Sequence, residues 1–263
     1  MRIGFLGGDA RMRVCAEGLL RARHTVLSLS PFGVGVCLSS AQALTDGAEA
    51  VVLPSPATRD GVHIAGTDIP FSSLSFRAEQ RVFGGFLPSA WKKDGVPLLD
   101  LSHSESFQLK NAALTAEGAI ATALSASGRG FYGLSLAIVG YGRIGRLLAA
   151  RLSGFGVPIT VYARRKETRT EAALAGYKTH PLGEDTVFSE SVLFNTVPEH
   201  VFARARARGA LFAYDLGGGF PAELTLTDGG TLPTVSMRGV PGVFAPSAAG
   251  EIILEELLAL IER

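Results

Sequence analysis

Residues 134–145, Leu-Ser-Leu-Ala-Ile-Val-Gly-Tyr-Gly-Arg-Ile-Gly, decide how this chain is read. The apolar run from Leu134 to Val139 has the length and composition of a buried strand. It ends in Gly140-x-Gly142-x-x-Gly145, after which Ile144, Leu147, Leu148 and Leu152 recur at helical spacing. Strand, glycine turn and helix start, in that order, make a dinucleotide loop. Gly140 permits the turn, Gly142 lets a pyrophosphate approach the backbone, and Gly145 lets helix and strand pack closely. Amides at the helix start then face the phosphates. The competing reading is a tight βα turn with no ligand, and the flanking strand and helix weigh against it. The cofactor-binding residues on this reading are Gly140, Tyr141, Gly142, Arg143, Ile144 and Gly145.

The next strand predicts which dinucleotide. Val157 to Ala163 is β-branched and alternating. An NAD site places an acid near the end of such a strand, to bond the ribose 2′-hydroxyl. Here the strand runs into Arg164, Arg165 and Lys166, with no acid before Glu167. Guanidiniums suit a 2′-phosphate, so NADP is favoured and NAD stays open. A solvated basic turn is the bland alternative. Asn195, Thr196, Val197 and Pro198 follow a later predicted strand and are expected to line the nicotinamide pocket.

Composition bounds the rest. With 263 residues, the chain can hold two modest domains. Hydrophobic residues make up 47% and charged residues 19%, as in a well-buried globular protein. A net charge of +1 gives no electrostatic case for nucleic acid or an anionic membrane. Cys15 and Cys37, the only cysteines, form neither a disulfide framework nor a metal cluster, so no metal is expected and a reducing cytoplasm is. No apolar run reaches a membrane span, and the start at Met1 reads as a buried first strand rather than a signal peptide.

Strand and helix signals alternate, which predicts an α/β protein of two doubly wound parallel-sheet domains, the C-terminal one a Rossmann domain. Strands are expected at 2–6, 24–29, 50–53 and 97–101, with a helix at 10–21 and long loops through 54–97. Thr115 is the expected N-cap of a connecting helix. Further strands are expected at 134–139, 157–163, 191–196, 210–215 and 232–236. Pro241–Pro246 reads as a connector or hinge, and Ala248–Arg263 as an amphipathic helix. The expected domains are 1–114, for substrate and completed by the helix at 247–263, and 115–246, for the dinucleotide.

Ligands in such sheets bind beyond the carboxyl ends of strands. Gly8, Asp9 and Arg11 follow the first strand, with Asp9 as an N-cap. Thr58 and Arg59 follow another, and Arg59 and Arg11 are the candidate readers of a substrate carboxylate. Asn111 and Thr115 lie at the proposed domain junction, where substrate would meet the nicotinamide end. No catalytic triad is visible. His103, beside Asp100 and Glu105, is a weak acid–base candidate, as are Asn111 and Glu117.

Taken together, these segments resemble the A chains of dipicolinate synthases, sporulation enzymes of endospore-forming bacteria. The resemblance is carried by Gly7–Arg11, Leu53-Pro54 with Ala57-Thr58, Asn111 with Thr115–Gly118, the glycine motif, Asn195–Pro198, Asp215-Leu216, Gly239–Pro246 and Ala249-Gly250. It does not carry His103. It implies a C-terminal domain like those of S-adenosylhomocysteine hydrolase and the hydroxyacid dehydrogenases. It also implies NADP-linked oxidation of a dihydrodipicolinate to pyridine-2,6-dicarboxylate. The implied partner is the flavoprotein-like second component of dipicolinate synthase, its B chain, and the implied place of action is the mother-cell cytoplasm. A homo-oligomer is left open. Two rival readings remain: a non-catalytic NADP-binding component, and a 2-hydroxyacid dehydrogenase. The absence of any histidine after His200 argues against the second.

Overall fold

The computed structural model describes residues 1–198 and 204–262; His200 and Arg263 lie outside them. In chain order the strands are β1 (Arg2–Leu6), β2 (Thr25–Leu29), β3 (Val36–Cys37), β4 (Ala50–Val52), β5 (Arg81–Gly84), β6 (Leu98–Asp100), β7 (Leu136–Val139), β8 (Ile159–Ala163), β9 (Lys178–Pro181), β10 (Val187–Phe188), β11 (Val192–Asn195), β12 (Arg206–Ala207), β13 (Phe212–Asp215), β14 (Glu223–Leu226) and β15 (Thr231–Ser236). The helices are α1 (Ala10–Arg21), α2 (Ala41–Gly47), α3 (Glu105–Ser127), α4 (Arg143–Ser153), α5 (Lys166–Leu174), α6 (Val240–Phe244) and α7 (Pro246–Ile261). The chain divides into two compact units. Unit 1 is Met1–Asn111 with Pro241–Arg263, and unit 2 is Ala112–Val240.

In unit 1 the strands lie in the order β3-β2-β1-β4-β5-β6, all parallel. Ile3, Phe5 and Leu6 are fully buried, as befits a strand covered on both faces. α1 presents Met12, Cys15, Ala16 and Leu19 to the core at helical spacing. Ile253 and Leu257 of α7 join the same cluster, so the end of the chain completes the first core. Glycines let the two helices approach. A side chain at Gly18 would collide with Leu254, and one at Gly250 would meet the Arg11 carbonyl and Val14 Cβ.

In unit 2 the strands order as β9-β8-β7-β11-β13-β15, and these pairs are all parallel. Counted within the unit, this is the 3-2-1-4-5-6 order of a dinucleotide-binding fold. β14 pairs antiparallel with β15, and β12 and β10 extend that edge. β7 is central: Leu136 and Ile138 enter one core, Ala137 and Val139 the other. Both units are thus doubly wound parallel-sheet domains.

Three local expectations are corrected. Residues 54–97 hold a strand, β5, and a 3-10 turn at Phe71–Ser73. Thr115 caps nothing: α3 already starts at Glu105, because 105–114 contains no Pro or Gly and Phe107 anchors it in the core. Most of the expected connector at 241–246 is helical, as α6. The unit boundaries fall at 111/112 and 240/241, against expectations of 114/115 and 246/247.

Leu257 is fully buried. Leu257→Ala should destabilise unit 1 by about 2–5 kcal/mol, through lost burial and the cavity left behind. Urea unfolding followed by the fluorescence of Trp91, the chain's single tryptophan, reads this directly. A loss below about 1 kcal/mol would mean that α7 is not part of that core.

Candidate dinucleotide site and neighbouring strand ends

The glycine turn joins β7 to α4. Gly140 has φ +93°, a left-handed conformation that side chains resist. A Cβ there would also lie 2.6 Å from Thr196 Oγ1 and 2.8 Å from Val197 Cγ2. At Gly145 a Cβ would strike the Gly140 carbonyl. At Gly142 it would meet nothing within 4 Å. Two glycines are therefore needed for packing, and the middle one faces open space, where a pyrophosphate would approach. Gly142 is the N-cap of α4 with no side-chain capping bond, so first-turn amides remain for an anion. Arg143 and Ile144 open α4, Arg143 exposed and Ile144 packed on the core.

A cavity of about 320 Å³ opens beside this turn. Gly140, Tyr141, Gly142, Thr196, Val197 and Pro198 line it, together with Ala163, Arg164, Arg165, Thr168 and Leu182. Arg164 and Arg165 are exposed where β8 passes into α5, and no acid lies between them and the strand. Lys166 is exposed at the start of α5 and is not among the lining residues. Arg146 is occupied elsewhere. It makes two bonds to Glu171, at 2.7 and 2.8 Å, and covers the Tyr141 ring.

Asn195 differs from expectation. It is fully buried and is not among the residues that line this cavity. Its Nδ2 donates to Asp215 Oδ1 at 2.7 Å and to the Val197 carbonyl at 2.9 Å, while its Oδ1 accepts from Val197 N at 3.0 Å. Asp215 Oδ1 also accepts from Gly218 N at 2.9 Å. Asn195 thus shapes the loop that carries Thr196–Pro198. Thr196 Oγ1 donates to the Val139 carbonyl at 2.9 Å and holds that loop against the glycine turn.

In unit 1 the loops after β1 and β4 meet: Gly8 N donates to the Ala65 carbonyl at 3.0 Å. Asp9 is the N-cap of α1 and accepts from Arg11 N. The Arg11 guanidinium grips Asp9 twice, Nε on Oδ1 at 3.0 Å and Nη2 on Oδ2 at 2.7 Å. Its fork, expected to read a substrate carboxylate, is engaged within its own helix cap. Burial raises the Asp9 carboxyl, but the bonds and charge from Arg11, with Arg59 adding, hold it below its ordinary value. Arg59 is exposed. Thr58 Oγ1 donates to Asp60 and accepts from Gly61 N, so it serves the turn.

Beside these loops lies a cavity of about 710 Å³. Ser30, Ser39, Ser40, Thr67, Asp68 and Ser73 supply its polar lining, and among the described residues no Lys or Arg contributes. It suits a hydroxyl-bearing or neutral molecule better than a dianion.

The His103 side chain is 85% exposed, with Nε2 3.9 Å from Asp100 Oδ2. Asp100 is committed to the Phe86, Leu87 and Ser102 amides and the Ser102 hydroxyl. Glu117 is exposed and pairs with Arg151 at 3.0 Å. Asn111 and Thr115 lie within α3, Thr115 buried. Sequence reasoning missed Thr168 and Leu182, which reach the cavity only through the fold. Among the described residues, no cluster of His, Cys, Asp and Glu could hold a metal, and no helix is long and apolar enough to cross a membrane.

Residues 101–201 match the family model of the D-isomer specific 2-hydroxyacid dehydrogenase NAD binding domain. The chain is 27% identical over 187 residues to the dipicolinate synthase A chain of Bacillus subtilis (strain 168), a match that covers 63% of this chain. It spans 59% of that relative's length. Crystal structures of dipicolinate synthase A chains from Bacillus halodurans and Bacillus subtilis share the fold. Their TM-scores are 0.77 and 0.73, with identities of 20% and 18%, over the whole of this chain and 98% and 96% of theirs. The chain is thus similar to dipicolinate synthase A chains in sequence and in fold.

The lowered Asp9 pKa has a definite sign. A carboxylate held below its unfolded value of 3.8 adds stability above that pH and loses it as pH falls through the folded value. The stability difference between wild type and Asp9→Asn should therefore be flat from pH 7 to about 5 and shrink below about pH 4. It should be small, because the Asp9 side chain is 44% exposed. Thermal melts across that range test this, and an equal difference at pH 7 and pH 3 would remove Asp9 ionisation from the account.

Proposed function

We propose that the chain is an NADP-dependent oxidoreductase that aromatises a dihydropyridine-2,6-dicarboxylate to pyridine-2,6-dicarboxylate, acting with a flavoprotein-like partner chain in the cytoplasm of a sporulating cell. One observation carries the dinucleotide half: a glycine turn open at Gly142, beside a cavity that receives Arg164 and Arg165 and, among the described residues, no acid. The NAD-binding family match over 101–201 supports the nicotinamide class. Likeness to the dipicolinate synthase A chain supports the substrate and the partner.

The chemistry asks little of the side chains. The dihydropyridine loses a hydride from one ring carbon and a proton from the ring, and gains aromaticity. When bound, the nicotinamide supplies the hydride acceptor. Gly142 and the uncapped start of α4 would hold the pyrophosphate. Arg164 and Arg165 would bind a 2′-phosphate, and Thr196–Pro198, which line the same cavity, would shield the bound cofactor from water. In unit 1 Arg59 binds a substrate carboxylate, with Gly8 and Asp9 fixing the adjoining turn. The proton passes to water or to a group on the partner chain.

A second reading, a non-catalytic NADP-binding component, is favoured by the exposure of His103 and the ion pair at Glu117. Incubation with NADP and freshly generated dihydrodipicolinate, with and without the partner chain, separates the two. NADPH formation by this chain alone supports the first reading, and formation only in the complex supports the second.

Replacing Arg164 and Arg165 together with Ala should weaken NADP binding by at least about tenfold and leave NAD nearly unchanged, because charge-assisted bonds to a phosphate are worth about 1.5–3 kcal/mol each. Equal losses for both cofactors, measured by nucleotide fluorescence titration, would remove the 2′-phosphate assignment.

Arg59→Met keeps most of the apolar stem and removes the charge. It should weaken dipicolinate binding by about tenfold and leave NADP affinity alone. Calorimetry showing unchanged dipicolinate affinity would move the carboxylate site away from the loop after β4.

A further inference from the structure

We propose that Arg169 is a positioning residue that sets preference for a 2′-phosphorylated dinucleotide by fixing the turn on which Arg164 and Arg165 stand. This rests on the cofactor reading given above. Arg169 lies on α5, four residues after Arg165. Its Nη1 donates to two successive carbonyls, Ala163 O at 2.8 Å and Arg164 O at 2.6 Å. These are the last carbonyl of β8 and the first beyond it. The Ala163 carbonyl also accepts from Leu182 N at 3.2 Å, and Leu182 lines the cavity. One guanidinium therefore ties the strand end, the start of α5 and, through a shared carbonyl, the segment after β9.

Two consequences follow from charge. Carbonyl oxygens carry partial negative charge, and beside a bound phosphate they would repel it. Arg169 engages both oxygens with a charged donor, which is stronger than a neutral one. Among the described residues no carboxylate pairs with Arg169, in contrast to Arg146, which Glu171 neutralises. Its positive charge therefore stays at the turn, beside Arg165 and Lys166. Glu167 is the acid on the same first turn, and it is exposed. A 2′-phosphate would be attracted by that positive charge, whereas a ribose 2′-hydroxyl would not.

The test uses the full chain as wild type, R169K, R169M, R164A/R165A and the triple variant with R169M. Dissociation constants are measured for NADP, NAD and 2′,5′-ADP. R169M should weaken NADP and 2′,5′-ADP by about tenfold or more and NAD by less than about twofold, and R169K should recover part of the loss. In the R164A/R165A background, R169M should add less than about twofold, because the groups it positions are gone. Retained NAD binding shows that the variants are folded. Equal losses for NAD and NADP, or no loss in R169M or R169K, would overturn the inference. If wild type binds NAD as well as NADP and does not bind 2′,5′-ADP, the cofactor reading fails first and takes this inference with it. If wild type prefers NADP and R169M keeps that preference, this inference alone fails.

Discussion

Thr196 Oγ1 occupies the space that a side chain at Gly140 would need, and the Gly140 carbonyl occupies the space that one at Gly145 would need. These two contacts lock three segments into one unit: the glycine turn, the start of α4 and the loop after β11. Among the described residues the turn is therefore open at Gly142. A ligand that approaches there meets the backbone and the first amides of a helix, with no side chain between. The position of the site follows from backbone packing.

Most polar groups around this unit are already used. Asn195 spends all three of its bonds on Asp215 and Val197, so it is a strut for the loop rather than a wall of the pocket. Gly217 packs against the Val197 backbone so closely that it admits no side chain, and Asp215 holds Gly218 from the other side. Such a network is stiff because every buried polar atom has a partner, and removing one leaves another unpaired at a cost of about 1–3 kcal/mol. Arg146 is neutralised by Glu171. Arg164 and Arg165, at the end of β8, line the same cavity as the glycine turn, and the sequence there is basic.

The parts legible in the sequence were those with a period or a rigid local rule. β7, the glycine turn and α4 fall where the pattern put them, because apolar alternation and glycine stereochemistry act over a few residues. β5 was not legible. Arg81-Val-Phe-Gly84 is short and lies between segments rich in Pro, Gly and Ser, and only pairing with β4 and β6 makes it a strand. Asn195 was read as a pocket residue because it ends a strand. Whether a side chain there turns toward ligand or toward its neighbours depends on Asp215, twenty residues later. Thr168, Leu182 and Arg169 carry no signal of their own, and their roles exist only once β8, α5 and β9 are assembled.

The same distinction governs unit 1, where the charges near the strand ends differ in how committed they are. Arg11 looked suited to a substrate carboxylate, but its fork is already closed on Asp9. To bind a carboxylate it would have to leave Asp9 or share its remaining amine, and either would expose an N-cap that α1 uses. The hydroxyl-lined cavity nearby brings no cation to offset a dianion. Arg59, on the loop that packs against the Gly7-Gly8 turn, has neither constraint. It is exposed, and its field already reaches Asp9. A carboxylate bound by Arg59 would compete with Asp9 for that field, so substrate binding at this turn would push the Asp9 pKa back up. The ion pair between Asp9 and Arg11 would then hold the helix start in place while the charge opposite it changed.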